Sequence, residues 1–314
     1  MTDVVNGLRF AFIGLFQIIF AWVQAILLSI CPRFLRKQFL YKNVTGKVVL
    51  ITGGASGLGR LMADRFARLN CKLVLWDVNE AGLEEVVKEV RVYGVSCKAY
   101  AVDLSSRELI YAAAEKVKAA HGHVDILVNN AGIVTGKKFL DCSDSMIEKT
   151  MDVNANAHFW TVKAFLPDMM KRNSGHIVSI ASSAGLFGVA GLADYCASKF
   201  AAVGFMESMR AELAAMGLTG IHTTVVCPYF INTGMFDGVR SKFMPILDPN
   251  ETVDRIVDAV LCNQAFLIIP RSLYLTYAMR GFMPVKVGAI LADFLGVNES
   301  MTGFQGRLGQ KKGD

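Results

Sequence analysis

Short runs that favour β-strands recur along the chain, and segments with helical spacing separate them. The runs lie at residues 48–51, 72–76, 96–101, 125–128 and 266–269. The first run has no polar alternation, as is typical of a strand buried on both faces of a parallel sheet. This alternation of strand and helix predicts an α/β fold with a single doubly wound parallel sheet of about seven strands.

An uncharged apolar stretch precedes these elements. It spans residues 10–31, and the cations Arg33, Arg36 and Lys37 follow it. A helix of this length can cross a hydrocarbon core of about 30 Å, and cations on its C-terminal side place the following domain in the cytosol. We therefore expect an N-terminal hydrophobic membrane segment, at the endoplasmic reticulum membrane or at a lipid droplet.

Two polar residues leave the geometry of this segment open. Gln17 and Gln24 weigh against a spanning helix, because each amide needs a hydrogen-bond partner in lipid. A shallow hairpin or an interfacial helix are the alternatives, and either suits the single monolayer of a lipid droplet. A buried core helix is the remaining alternative, although it would pack against a domain that is already complete without it.

Apolar character returns after the last predicted strand. Residues 272–284 and 285–295 are apolar with isolated, mostly cationic charges, which is typical of an amphipathic helix at a membrane surface. A lid or a dimer face would have the same pattern. The predicted organisation is an anchor and basic linker over residues 1–45, an α/β domain over 46–270, and an apolar extension with a flexible tail over 271–314.

Composition agrees with one large domain and excludes some partners. The 314 residues are 53% hydrophobic, which suffices for one substantial core. The net charge of +6 comes without a basic block interleaved with aromatics, so we expect no nucleic-acid partner. The seven cysteines are scattered without metal-ligand spacing, so we predict no metal site and a reducing compartment.

A glycine-rich turn, Thr-Gly-Gly-Ala-Ser-Gly-Leu-Gly, begins at Thr52 directly after the first predicted strand. A helical pattern follows at residues 60–69. Glycines in this context let a pyrophosphate approach the amides at the positive end of a helix, whereas a glycine triplet without the flanking elements is equally typical of a tight turn. The residues expected to bind a dinucleotide here are Gly53, Ser56, Gly57, Leu58 and Gly59.

A carboxylate closes the second predicted strand. Asp77 lies where it can accept hydrogen bonds from both adenosine ribose hydroxyls, while a 2′-phosphate would meet like charge. Residues 78–80 contain no cation, and neither do residues 53–59. These features favour NAD over NADP as the cofactor. Arg60 is the nearby cation that would support NADP, and its ordinary role is that of a solvent-facing helix residue.

Polar residues also follow the third and fourth predicted strands. Asp103 is a candidate for binding the adenine edge, and Asn130 belongs to the sequence Asn-Asn-Ala-Gly at residues 129–132. Small polar residues at the carboxyl ends of parallel strands are where ligands gather in such sheets. We therefore expect both side chains to contribute to the dinucleotide site.

A tyrosine and a lysine four residues apart supply the candidate chemistry. Tyr195 and Lys199 share one helical face, so the ammonium can lie beside the phenol. A free tyrosine titrates near ~10, and a close positive charge favours its ionised form, which makes Tyr195 a candidate acid/base. Because this spacing also occurs in ordinary surface pairs, the pair indicates a catalytic role only together with the other motifs.

Together these motifs resemble the short-chain dehydrogenase/reductase family. The matching motifs are Thr-Gly-x-x-x-Gly-x-Gly at Thr52, Asn-Asn-Ala-Gly at Asn129 and Tyr-x-x-x-Lys at Tyr195. Ser182 has the family's spacing to the tyrosine, and Asn154 matches its helix asparagine. The resemblance covers roughly residues 46–269 and implies a Rossmann-type fold, NAD(P)-dependent alcohol or carbonyl chemistry, and a homodimer.

The resemblance also implies a role for each catalytic residue. By it, Tyr195 exchanges the hydroxyl proton and Ser182 orients the substrate oxygen. Lys199 lowers the tyrosine pKa and holds the nicotinamide ribose, and Asn154 helps to hold a water that relays the proton outward. Each role suits the chemistry, since a hydride leaves an alcohol carbon only as the O–H proton is taken up.

One departure from the family pattern falls after the predicted sixth strand. The usual Pro-Gly is Pro228-Tyr229 here, while Thr233 still falls where the family contacts the nicotinamide carboxamide. We therefore keep Pro228 and Thr233 as cofactor-binding candidates and expect Tyr229 to add an aromatic wall. With the apolar N-terminus, this resembles the membrane-associated branch that contains retinol dehydrogenases and lipid-droplet 17β-hydroxysteroid dehydrogenase-like proteins.

The sequence thus predicts an NAD-dependent dehydrogenase of a lipophilic alcohol, of the retinoid or steroid type, at a membrane or lipid-droplet surface. Apolar residues in the predicted substrate loops support this class of substrate. An NADPH-linked carbonyl reductase of the same fold is the first alternative. A lipid-droplet surface protein with secondary catalysis is the second, and retention of all four catalytic positions weighs against it.

Overall fold

The computed structural model describes residues 33–306, together with residues 12, 14–16 and 19. Most of the apolar stretch 10–31 and of the tail 306–314 lies outside the described residues, so the expected anchor and flexible tail stay predictions. Within the described part, no helix combines the length and the apolar composition that crossing a membrane requires.

The chain divides into two compact units, Met1–Asn43 and Val44–Asp314. Helix α1 (Arg33–Phe39) belongs to the first unit and carries Arg36 and Lys37 in its last turn. Cations at this end of a helix complement its dipole. The second unit contains the whole β-sheet.

A single parallel sheet of seven strands forms the centre of the second unit. Its order is β3-β2-β1-β4-β5-β6-β7, so the direction of winding reverses between β1 and β4. The strands are β1 (Val48–Thr52), β2 (Lys72–Asp77), β3 (Cys97–Ala101), β4 (Ile126–Asn129), β5 (Gly175–Ile180), β6 (Ile221–Pro228) and β7 (Phe266–Ile269). The predicted doubly wound α/β sheet is confirmed, and β3 and β4 begin one residue later than the sequence suggested.

Helices connect the strands and pack in two groups. They are α2 (Gly57–Arg68), α3 (Glu80–Arg91), α4 (Arg107–His121), α5 (Asp144–Met151), α6 (Ala157–Arg172), α7 (Ala193–Ala215), α8 (Pro249–Leu261), α9 (Ser272–Arg280) and α10 (Val285–Phe294). Helix α2 packs against α3 and α8, whereas α4 packs against α6. This arrangement buries both faces of the sheet, as continuous apolar strands require.

Local sequence signals set where several helices begin. The Asn79 side chain accepts a hydrogen bond from the Gly82 N–H at 3.1 Å, at the start of α3. Ser106 accepts one from the Leu109 N–H at 3.2 Å, at the start of α4. Side chains of this kind satisfy amide groups that the first helical turn leaves without partners. The carboxyl ends of the strands are thereby joined to helices by short, ordered turns.

Two large aromatic residues, Trp76 and Phe165, meet in the core, and their ring centroids lie 5.9 Å apart. Both residues are almost fully buried, Trp76 on β2 and Phe165 on α6. Rings of this size dominate core burial. The pair thus fixes β2, which ends in Asp77, against the helical layer.

Candidate active site

A cavity of about 380 Å³ lies at the carboxyl ends of the central strands. It opens at the point where the strand order reverses, the position at which parallel α/β sheets bind ligands. The predicted site residues that line it are Gly53, Ser56, Leu58, Asp77, Asp103, Asn130, Ser182, Tyr195, Lys199, Pro228 and Thr233. The structure therefore brings eleven of the fourteen predicted residues together around one cavity.

The glycine turn after β1 is shaped by two glycines that lie behind the cavity surface. Gly57 adopts φ +53° at the first position of α2. A Cβ at Gly59 would collide with the Gly53 carbonyl oxygen and approach Asn130 Nδ2 to 2.9 Å. Glycine is required for such close approach and for the left-handed conformation. Gly57 and Gly59 thus shape the turn, while Gly53, Ser56 and Leu58 form its exposed edge.

Asn130 fastens the end of β4 to this turn. Its Nδ2 donates to the Thr52 carbonyl oxygen at 2.8 Å and to that of Gly53 at 3.2 Å. In return, Thr52 Oγ1 accepts hydrogen bonds from the N–H groups of Asn130 and Ala131, at 2.9 and 3.1 Å. The N-terminus of α2 is therefore held facing the cavity, an arrangement that binds anionic groups such as a pyrophosphate.

The Asp77 carboxylate is oriented by backbone amides. Its Oδ2 accepts from the Ala55 N–H and its Oδ1 from the Asn79 N–H, both at 3.0 Å. Arg60 does not line the cavity and instead forms ion pairs with Glu85 and Glu89, the former at 3.2 Å. The negative charge at this end of the cavity is thus kept, and the nearby cation is engaged elsewhere.

Asp103 lies further along the same end of the cavity. Hydrogen bonds from the Ser105 N–H at 2.9 Å and from its hydroxyl at 2.7 Å lower the pKa of Asp103 below its usual value. Lys149 also lines the cavity, and its charge adds to the same lowering of the pKa. Lys149 was not predicted as a site residue, since helical spacing alone does not distinguish a cavity-facing lysine from a solvent-facing one.

The other end of the cavity contains Ser182, Tyr195 and Lys199. Ser182 Oγ accepts from the Ala184 N–H at 3.1 Å and so caps the short 3-10 helix Ser183–Gly185. A Cβ at Gly185 would lie 2.6 Å from the Lys199 carbonyl oxygen, so glycine lets this turn pack directly on α7. The predicted serine therefore meets the tyrosine and the lysine across two elements that follow each other in the sequence.

Burial dominates the electrostatics of the tyrosine and the lysine. It raises the pKa of Tyr195 above its usual value, and a hydrogen bond with Ser182 opposes this only in part. Burial also lowers the pKa of Lys199 to about 8. The Lys199 Nζ lies 5.7 Å from the Tyr195 ring centroid and donates to the Ile180 carbonyl oxygen at 3.0 Å. Desolvation thus sets the direction of the Tyr195 pKa shift in this structure, which is opposite to the lowering that the family resemblance implies.

Asn154 lies behind the cavity, in a π-helical segment (Asp152–Asn156) between α5 and α6. Its Oδ1 accepts from the Ile133 N–H at 2.8 Å. Its Nδ2 donates to the Ile133 carbonyl oxygen at 2.9 Å and to Ser198 Oγ at 3.0 Å. Both amide hydrogens are thus used within the protein, and Asn154 fastens the loop after β4 to α7.

The substrate side of the cavity is mainly apolar. Ile231, Met235 and Phe236 line it after β6, and the Phe236 ring meets that of Tyr195 edge-on at 5.7 Å between centroids. Tyr229, which replaces the family's glycine, also lines the cavity, and its hydroxyl lies 3.0 Å from Ser241 Oγ. An apolar enclosure with one polar corner suits a lipophilic molecule that carries a single reacting oxygen.

A dinucleotide-type cavity that ends at a serine, a tyrosine and a lysine defines an oxidoreductase of the short-chain type. The chain belongs to the short chain dehydrogenase family, whose model matches residues 47–243. The family resemblance seen in the sequence is thereby confirmed.

Individual relatives agree with this assignment over most of the chain. Epidermal retinol dehydrogenase 2 of Homo sapiens is 49% identical over 305 residues, covering 96% of this chain and 96% of the relative. Estradiol 17-beta-dehydrogenase 11 of Pongo abelii is 46% identical over 265 residues, covering 84% of this chain and 88% of the relative. The crystal structure of a short chain dehydrogenase/reductase from Burkholderia phymatum in complex with NAD superimposes with a TM-score of 0.70. Its sequence identity is 27%, and the match covers 77% of this chain and 95% of that chain.

The buried Lys199 predicts a particular dependence of stability on pH. Its pKa of about 8 lies below the unfolded value, so between those values the unfolded state binds more protons and the free energy of unfolding rises with pH. We expect the stability of the wild type to rise relative to Lys199→Met by about 1 kcal/mol between pH 8 and 9. Guanidinium denaturation of both proteins across this range measures the difference, and parallel curves would contradict the burial of a titrating ammonium.

Proposed function

We propose that this chain is an NAD-dependent dehydrogenase of a lipophilic alcohol of the retinoid or steroid type. The proposal rests on one observation: a single cavity contains both sets of residues that the reaction needs. The Asp77 carboxylate lies at one end of this cavity, and the Tyr195 hydroxyl lies at the other end, beside Ser182 and Lys199. The relatives named as retinol and estradiol dehydrogenases support the substrate class. The apolar lining after β6 supports it independently.

The protein's own groups would hold the cofactor and move the proton. The N–H groups of the turn after β1 would bind the pyrophosphate, and Asp77 would accept from the adenosine ribose hydroxyls. Pro228 and Thr233 would border the nicotinamide. When bound, NAD supplies the hydride acceptor. Lys199 would hold the adjoining ribose by a second donor of its ammonium, because one donor already binds Ile180.

Proton transfer would run through Tyr195. Ser182 would orient the substrate hydroxyl toward the phenol oxygen, while the charge of Lys199 favours the phenolate as the proton leaves the alcohol. With a pKa of about 8, Lys199 is mostly charged at neutral pH. Asn154 would act by holding the loop at Ile133 in place, since its amide is engaged there.

One observation favours the reverse reaction as a second candidate. A phenol whose pKa is raised by burial is protonated at neutral pH, and the protonated form is the one that carbonyl reduction requires. An NADPH-linked carbonyl reductase would use the same three residues. The Asp77 carboxylate and the engagement of Arg60 with Glu85 and Glu89 weigh against a 2′-phosphate.

Replacement of the phenol hydroxyl tests the chemistry. We expect Tyr195→Phe to lose roughly 10²- to 10⁴-fold in kcat, because the proton transfer loses its acid/base. The measurement is NADH formation by the detergent-solubilised full chain with retinols, hydroxysteroids and fatty alcohols. Cofactor binding to the variant, followed by NADH fluorescence, serves as the control for folding. Unchanged turnover in the variant would show that Tyr195 is not the acid/base.

The choice of cofactor is tested at Asp77. We expect Asp77→Asn to narrow the preference for NAD over NADP by about tenfold, since it removes the carboxylate charge while keeping a hydrogen-bond acceptor of similar shape. Dissociation constants for both cofactors give the ratio. Arg60→Ala is the matched control and should leave the ratio within about twofold, because ion pairs already engage its charge. A larger effect at Arg60 than at Asp77 would reverse the cofactor assignment.

The proposed location is a membrane or lipid-droplet surface, with the catalytic domain facing the cytosol. In the proposed organisation, residues 1–45 anchor the chain and residues 46–270 carry the chemistry. Within the extension at residues 271–314, helices α9 and α10 contact lipid. Support comes from large apolar side chains exposed on and between α9 and α10. They are Leu275, Phe282, Val285, Ile290 and Phe294. An apolar surface of this kind near isolated cations is typical of a helix pair that lies in a membrane interface.

Lipid contact can be measured by fluorescence quenching in vesicles. A bimane label at Phe282→Cys should be quenched by brominated phosphatidylcholine, because Phe282 is 92% exposed and lies between the two apolar helices. Val92→Cys is the matched control at an exposed position of α3's C-terminal turn and should stay unquenched. Excimer formation between labelled chains without quenching would instead indicate a dimer face, and would contradict lipid contact.

A further inference from the structure

The last described residues form a strap over the substrate side of the site. We use the term C-terminal strap for residues 300–306, which lie outside the part matched by the family model. The Arg240 N–H donates to the Ser300 carbonyl oxygen at 3.0 Å, and the Gln305 N–H donates to the Asp237 carbonyl oxygen at 2.8 Å. The strap is therefore fastened near both ends to the loop that follows β6.

Apolar packing ties the strap to the catalytic tyrosine. Met301 is buried, and it belongs to the same hydrophobic cluster as Leu192, Tyr195 and Val239. Ser300 beside it is buried as well. A segment that places a buried methionine in this cluster helps to keep water from the phenol, and burial is the main cause of the raised pKa of Tyr195.

Two glycines in separate loops make room for the strap. Gly136, in the loop after β4, has φ +67°, and a Cβ there would overlap the Phe304 ring. Gly238, in the loop after β6, has φ +83°, and a Cβ there would overlap the Gly303 carbonyl oxygen. Both loops thus approach the strap too closely for any residue with a side chain.

A chain of aromatic contacts leads from the strap to the reacting group. The Phe304 ring lies 6.3 Å from that of Phe236, and the Phe236 ring lies 5.7 Å from that of Tyr195, both edge-on. Phe236 lines the cavity, whereas Phe304 supports it from behind. Edge-to-face packing of this kind fixes the orientation of a ring. The Phe236 ring is therefore held by Phe304 together with Phe230, whose ring centroid lies 5.1 Å from that of Phe236.

We propose that Phe304 is a positioning residue for substrate selection, which sets the width of the cavity beside Tyr195 by holding the Phe236 ring. The selection acts on the bulk of a lipophilic alcohol close to its reacting carbon. A slender primary alcohol fits beside the fixed ring, whereas a ring-bearing secondary alcohol needs the ring to move aside. This inference rests on the proposed dehydrogenase function and adds the residue that tunes its substrate range.

The kinetic test compares two alcohols of different bulk. For Phe304→Ala, we expect the kcat/KM of a hydroxysteroid divided by that of a long-chain primary alcohol to rise about tenfold, mainly through KM. Phe304→Tyr keeps the ring and should retain the wild-type ratio. Phe159→Ala is the matched control, because Phe159 packs on the Phe205 ring at 4.1 Å but does not line the cavity. An unchanged ratio in Phe304→Ala, or an equal change in Phe159→Ala, overturns the proposal.

A second pair of variants tests the mechanism without turnover. Gly136→Ala should displace Phe304, whereas Gly94→Ala bears the same positive-φ strain, at φ +73°, with no atom within 4 Å of the added methyl. Only Gly136→Ala and Phe304→Ala should speed hydrogen exchange at the Gln305 and Arg240 amides. The ratio of dissociation constants for the two alcohols should shift in the same two variants. If the wild type showed no turnover, the proposed function would be wrong. The binding and exchange data would still test whether the strap positions Phe236. Equal behaviour of Gly136→Ala and Gly94→Ala overturns its role.

Discussion

The burial of one ammonium is the constraint on which the site depends. Lys199 is 3% exposed, and a charge removed from water is costly unless polar groups replace its hydration. The Ile180 carbonyl oxygen supplies one such group at 3.0 Å. Burial and the Lys199 charge together lower the pKa of the neighbouring His158 to about 3, so His158 stays neutral and adds no competing charge. The end of β5 and the start of α7 must therefore keep their relative positions for the lysine to be tolerated.

The loop after β4 links the surroundings of Lys199 to the glycine turn on the dinucleotide side of the cavity. At one end Asn130 binds the carbonyl groups of Thr52 and Gly53, and a few residues later Ile133 is held by the Asn154 amide. Asn154 in turn donates to Ser198, the residue before Lys199. The glycine turn and the catalytic helix are thus linked by hydrogen bonds through one short loop. A change in the loop would therefore alter both ends of the cavity together.

Much of this architecture was predictable from sequence because its signals are local. Runs of strand-forming residues predicted the sheet, and strand-turn-helix context located the glycine turn and Asp77. The close packing around Gly59 was not predictable, because it depends on how closely Gly53 and Asn130 approach. The raised pKa of Tyr195 was missed for a related reason. Sequence spacing gives the neighbouring lysine, whereas desolvation comes from every element packed around the phenol. Lys149 was not predicted either, since which lysines of a helix face a cavity is set by tertiary packing.

The strap lies far in sequence from the loops that it contacts. This separation suggests that different parts of the chain serve chemistry and substrate selection. Ser182, Tyr195 and Lys199 fall within the part that matches the family model, so the proposed proton chemistry belongs to the shared core. The contacts of the strap with Gly136 and Gly238 connect that core to a segment beyond it. The core positions the Tyr195 phenol, and the strap completes its enclosure, because the hydrophobic cluster around Tyr195 includes Met301. A chain with the same core and a different C-terminal segment would therefore keep the reaction and change the shape of the apolar space in which it occurs. Under the proposed function, selectivity for a lipophilic substrate can thus vary in this fold without any change to the residues proposed to transfer the proton.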